Sequence, residues 1–102
     1  MDLVVLYLIF RQQTTIEERR INMKNEVLNI IEEVAGTDEF REDLDMDLFE
    51  EGILDSMRAI MLIVELENAF SLSLPPSEMD RDDWNTANKI ADRIKEKMDE
   101  ER

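Results

Sequence analysis

The sequence predicts an all-α domain: three main helices and one short helix packed as a bundle, with a long loop between helices 1 and 2. Three observations lead there. The chain of 102 residues has only two Gly and two Pro and is rich in Leu, Ile, Met, Glu and Lys, a composition that favours helix over sheet. Apolar residues recur with helical spacing in three separate stretches, whereas no stretch after Met23 reads as a strand. No internal repeat is present, and a chain this short builds a single small core.

The first core helix is predicted from Met23 to Ala35, where Val27, Ile30, Ile31 and Val34 fall at i, i+3, i+4 and i+7 opposite Glu26, Glu32 and Glu33. Gly36 is a natural stop. Thr37 to Asp55 is a long acidic connection in which Phe40, Leu44, Leu48, Phe49, Ile53 and Leu54 are irregularly spaced. Loops of this length are uncommon in small domains unless pinned, and these side chains are the expected pins.

The second helix is predicted from Ser56 to Phe70. Turned at about 100° per residue, it gathers Ala59, Leu62, Ile63, Leu66 and Phe70 on an inward face that Ile60 and Val64 widen. Arg58, Glu65 and Asn68 lie opposite, with Met57 and Met61. Pro75-Pro76 forbids continuation, and Ser77 followed by Asp80 resembles a capping signal for a short helix ending near Trp84. Asn85-Thr86 then opens the last helix, in which Ala87, Ile90, Ala91, Ile94 and Met98 form an inward stripe.

Residues 1–22 form an extension distinct from the domain at 23–102. Leu3 to Phe10 is strongly apolar, yet less than half of the roughly 20 residues that span a bilayer. It also lacks a signal peptide's preceding positive charge and following cleavage site. The extension holds as many basic as acidic residues, so the whole net charge of −14 falls on the remainder. It is expected to be non-essential.

That charge disfavours nucleic acid and anionic membrane surfaces, since phosphates on both sides would repel. With no Cys and no His, the chain offers no disulfide, no thiol nucleophile and neither of the commonest metal-ligating side chains, so no metal site is expected. A hydrolase is equally disfavoured: Ser56 has no His to activate it, and Asp55 is a weak base for a hydroxyl. No residue is assigned a catalytic role.

The stretch Gly52-Ile53-Leu54-Asp55-Ser56-Met57 organises the rest. Ser56 stands where loop becomes helix, so its hydroxyl lies beside N–H groups without intrahelical partners and at the positive end of the helix dipole, which suits an attached phosphate. Asp-Ser before a helix is by itself most often only a cap. Met57, Arg58 and Met61 lie together outward beside it, and flexible thioethers on an outward face suit partner contact.

The segment Leu48-Phe49-Glu50-Glu51-Gly52-Ile53-Leu54-Asp55-Ser56-Met57 resembles the attachment segment of phosphopantetheine-dependent carrier proteins. Within that superfamily, Ser77 to Ile90, with Asp80-Arg81, Trp84, Thr86, Asn88 and Ile90, is similar to the signature of the D-alanyl carrier family. The similarity runs from about Val27 to Ile94. It implies an acyl-carrier-like four-helix fold, a covalent phosphopantetheine on Ser56 with Asp55 beside it, and D-alanine held as a thioester for transfer toward teichoic acids. The implied partners are a phosphopantetheinyl transferase, a D-alanine-activating ligase and a membrane-bound acyltransferase, acting on a cytoplasmic monomer without direct membrane insertion. The chain departs from the family in having Arg58-Ala59 for Gly-Thr, Met79 for Phe and Ala87 for Pro. Arg58 bears on the choice of docking partner.

Two other functions are compatible with parts of the sequence. One is an acyl or peptidyl carrier of a fatty-acid, polyketide or nonribosomal peptide pathway, but fatty-acid carriers commonly place acidic residues where this chain has Arg58 and Met61. The other is an unmodified acidic helical module that works by protein binding or by mimicking nucleic-acid charge, for which only the net charge speaks.

Overall fold

The computed structural model describes residues 2–6 and 16–100, which are helical without a strand. Three helices carry the fold: α1, Ile16–Ala35; α2, Ser56–Phe70; and α3, Ala87–Glu100. Helix α1 packs against both others. Between α2 and α3 the expected short helix is two separate 3-10 turns, Pro76–Glu78 and Arg81–Asp83. Pro75-Pro76 removes two backbone donors in succession, and the second turn is started by Asp80, whose carboxylate accepts from the Asp82 N–H.

Helix α1 continues N-terminally past Met23 to Ile16, so the charge boundary between residues 22 and 23 falls inside a continuous helix. Of its described side chains, Val27, Leu28, Ile31 and Ala35 are buried, while Met23, Ile30 and Val34 are partly buried against the core. The buried stripe is therefore rotated toward Leu28 from the predicted one. Leu3, Val4 and Val5 are exposed on a single helical turn, and Tyr7 to Phe10 lie outside the described residues.

The connection from Gly36 to Asp55 is pinned by the predicted side chains. Phe40, Leu48, Ile53 and Leu54 are buried in the common core, with Leu44 and Phe49 packed against it. A 3-10 turn at Glu39–Glu42 seats Phe40. Gly52 has φ +73°, a left-handed conformation in which a side chain would be strained, and so lets the chain turn back under α2.

Three inward assignments are corrected. Ile60 and Val64 on α2 are exposed, because the helix meets the core along Leu62 and Leu66, with Ile63 and Phe70 packed at the margin. Met98 on α3 is exposed as well, since the buried stripe of that helix ends at Ile94. Leu72, Leu74 and Trp84 compensate from the α2–α3 connection, where all three are buried.

Candidate functional site

Ser56 is the first residue of α2 and is exposed. Asp55, in extended conformation, is its N-cap: one carboxylate oxygen accepts the Arg58 N–H at 2.8 Å, and the Asp55 carbonyl accepts the Ala59 N–H at 2.8 Å. Asp55 is thus committed to the backbone, while the Ser56 hydroxyl carries no structural duty in the cap. A helix of 15 residues opening at this point presents its positive end there. A phosphate ester on Ser56 fits this arrangement, because the hydroxyl is open to solvent and the helix N-terminus favours negative charge.

The position of Ser56 is inherited from the segment before it. Ile53 and Leu54 are buried, and both of their N–H groups donate to the Leu48 carbonyl at 2.9 Å. Leu48 is fully buried, and its N–H donates to the Asn85 carbonyl at 2.7 Å. Asp47 shapes the same turn, accepting from the N–H groups of Phe49 at 2.9 Å and Glu50 at 3.0 Å while its other oxygen accepts from the Asn85 amide at 2.9 Å. The Glu50 N–H, helped by the Asn85 amide, the Phe49 N–H and the charge of Arg81, holds the Asp47 carboxyl below the usual carboxylate range against the opposing effect of burial.

Met57 and Met61 stand beside Ser56 on the exposed side of α2, and the structure adds two residues that sequence periodicity placed inward. Exposure is 69% at Met57, 61% at Ile60, 50% at Met61 and 46% at Val64, so these four form one apolar stripe along the helix. Arg58 is exposed at its edge, but its guanidinium turns away, donating from Nη1 to the Ala35 carbonyl at 3.1 Å. Behind α2, Phe49, Leu54, Ala59, Leu62, Ile63, Met79 and Trp84 enclose an apolar crevice of only about 20 Å³. The Arg81 guanidinium lies over the Phe49 ring, 4.2 Å from its centroid. No cluster of acidic side chains that could hold a metal ion occurs among the described residues.

Residues 25–94, a stretch that includes the exposed serine heading the second helix, match the family described as phosphopantetheine attachment site. The D-alanyl carrier protein of Lactococcus lactis subsp. lactis (strain IL1403) is 81% identical over 78 residues, spanning 76% of this chain and 99% of that protein. That of Streptococcus mutans serotype c is 52% identical over 80 residues, 74% of this chain and 95% of the relative. That of Latilactobacillus sakei subsp. sakei is 42% identical over 76 residues, 74% and 97% of the two chains. The chain belongs to the phosphopantetheine carrier family and, within it, to the D-alanyl carrier proteins.

Proposed function

We propose that this chain carries D-alanine, activated by a ligase and passed on toward teichoic acids by a membrane-bound acyltransferase, and that Ser56 is the one attachment point of its phosphopantetheine arm. The observation that carries the reading is the exposed Ser56 at the head of α2, inside a segment matched by the attachment-site family. The arm supplies a terminal thiol that holds the amino acid as a thioester. The protein's own part is to present Ser56, to keep Asp55 occupied as a helix cap, and to offer partners a surface next to the arm. It is itself no enzyme.

The outward stripe of α2 serves as that surface. Met57 and Met61, with Ile60 and Val64 behind them, leave apolar area in water next to Ser56, where a partner must approach. Arg58 at the margin contributes orientation and selectivity rather than a buried anchor. None of the described helices is long and apolar enough to cross a membrane. The compartment in which this reading has the carrier meet its partners is the cytoplasm.

Intact mass after incubation with coenzyme A and a phosphopantetheinyl transferase tests the arm. The loaded protein is then offered to a D-alanine-activating ligase and, separately, to a fatty acyl-carrier synthetase. Loading by the ligase is expected. Efficient loading by the synthetase with none by the ligase would overturn the D-alanine assignment while leaving the carrier class intact.

A further inference from the structure

The attachment segment is gripped from the far side of the chain by one residue used twice. The Asn85 side-chain amide donates to Asp47 Oδ2 at 2.9 Å, and the Asn85 carbonyl accepts the Leu48 N–H at 2.7 Å. Leu48 in turn accepts from Ile53 and Leu54, and Leu54 lies two residues before Ser56. Asn85 is itself held at the head of α3, with its Oδ1 accepting from Lys89 Nζ at 3.1 Å and the neighbouring Thr86 hydroxyl accepting the Lys89 N–H. A second tie runs parallel, with Asn88 donating from its backbone to Leu44 and from its amide to Asp45 at 2.8 Å.

We propose that Asp47 and Asn85 are positioning residues for arm attachment: by fixing the turn at Leu48 they fix Ile53 and Leu54, and through them the place and direction of the Ser56 hydroxyl. This rests on the reading of Ser56 as the attachment site. In the transfer, the Ser56 oxygen forms a bond to the pantetheine-side phosphorus of the coenzyme A pyrophosphate. The bond from that phosphorus to the bridging oxygen breaks, adenosine bisphosphate leaves, and the hydroxyl proton passes to a base of the transferase. A displacement at phosphorus depends on the approach of the attacking oxygen, so a hydroxyl that wanders reacts slowly even when the two proteins dock normally. The latch touches neither the outward stripe of α2 nor Ser56 itself, and so separates chemistry from docking.

Two substitutions test it in the full chain. Asn85→Asp sets two carboxylates against each other where an amide now bridges, which pushes the turn at Leu48 open. Asp47→Asn together with Asn85→Asp restores one donor and one acceptor with the roles exchanged. Arm transfer from coenzyme A is followed by intact mass, at a temperature where circular dichroism shows each variant folded. The single variant is expected to lose roughly tenfold or more in kcat with KM within about twofold, since misplacement by ~1 Å can cost up to ~100-fold, and the double variant to recover most of it. Wild-type kcat in Asn85→Asp, a loss seen only in KM, or a double variant no faster than the single one would overturn the proposal. If Asn85→Asp does not fold, the folded double variant decides, and a kcat reduced like that expected for the single variant refutes the latch. Ser56→Ala, run alongside, separates the two readings: if it still gains the arm, the site assignment fails, whatever Asn85→Asp does.

Discussion

The Arg58 guanidinium donates from Nη1 to the carbonyl oxygen of Ala35 at 3.1 Å, joining the first turn of α2 to the last residue of α1. That carbonyl is among the last of α1, which have no acceptor role within the helix, and the cation also meets the negative end of the helix dipole. Arg58→Ala is therefore expected to lower unfolding free energy by about 1 kcal/mol, the usual net worth of such a bond. Urea unfolding checks this, and an unchanged midpoint would show that the contact contributes nothing in water.

Ser56→Ala removes a hydroxyl that is exposed and takes no part in the N-cap, which belongs to Asp55. The variant should melt with the wild type and should gain no mass from coenzyme A and a phosphopantetheinyl transferase. A gain equal to the arm would place the attachment elsewhere.

Much of this was legible in the sequence, for reasons that differ by residue. The inward positions of α3 follow a strict helical repeat, and Ala87, Ile90, Ala91 and Ile94 are indeed buried. The pins Phe40, Leu48, Ile53 and Leu54 could be named because a long acidic loop has few other ways to hold itself to a core. Ile60 and Val64 misled because periodicity reports the apolar faces of a helix without saying which of them finds a neighbour. The Asp47–Asn85 bond joins residues 38 positions apart, and no local rule pairs them; an Asp before Leu48-Phe49-Glu50 signals only its own Asx-type turn. Arg58 read as a free surface charge because its acceptor, a helix-terminal carbonyl, leaves no mark in the side-chain pattern.

Residues 1–22 are expected to be dispensable for folding, since the first buried residue of α1 among the described side chains is Val27 and the family match begins at residue 25. A chain starting at Met23 shortens α1 by seven residues that precede its buried stripe. Its melting temperature should fall by no more than a few degrees. A loss of several kcal/mol, a large part of the ~5–15 kcal/mol typical of a domain, would show that the extension packs into the core.

Asp47 makes stability depend on acid. Its carboxyl is held below the ordinary value of about 3.9, chiefly by the Glu50 N–H, so the folded state binds its proton less readily than the unfolded chain. The contribution is fully present above the unfolded value and is lost as pH falls through the lower folded one. Urea midpoints measured from neutral pH down to the acid limit should decline less steeply below about pH 4 in Asp47→Asn than in the wild type. Parallel declines would mean that Asp47 titrates alike in both states.

The apolar stripe of α2 gives the sharpest contrast between folding and binding. Met57, Ile60, Met61 and Val64 are all at least 46% exposed, so shortening them removes little from the core. Met57 and Met61 differ from the other two in having unbranched, polarizable side chains that adapt to an irregular partner surface. Interface energy concentrates in a few anchors that become fully desolvated on docking, and residues next to the reactive arm are the ones any partner must cover. Replacing both methionines with Ala should therefore weaken binding to the D-alanine-activating ligase by roughly 2 kcal/mol or more, with the melting temperature little changed. Arg58→Ala should show the converse pattern, lowering stability through the lost Ala35 contact while affecting the association rate more than the dissociation rate. Titration calorimetry with stopped-flow kinetics on the arm-bearing protein measures both. If the double methionine variant bound as tightly as the wild type, the docking surface would have to be moved off this face of α2.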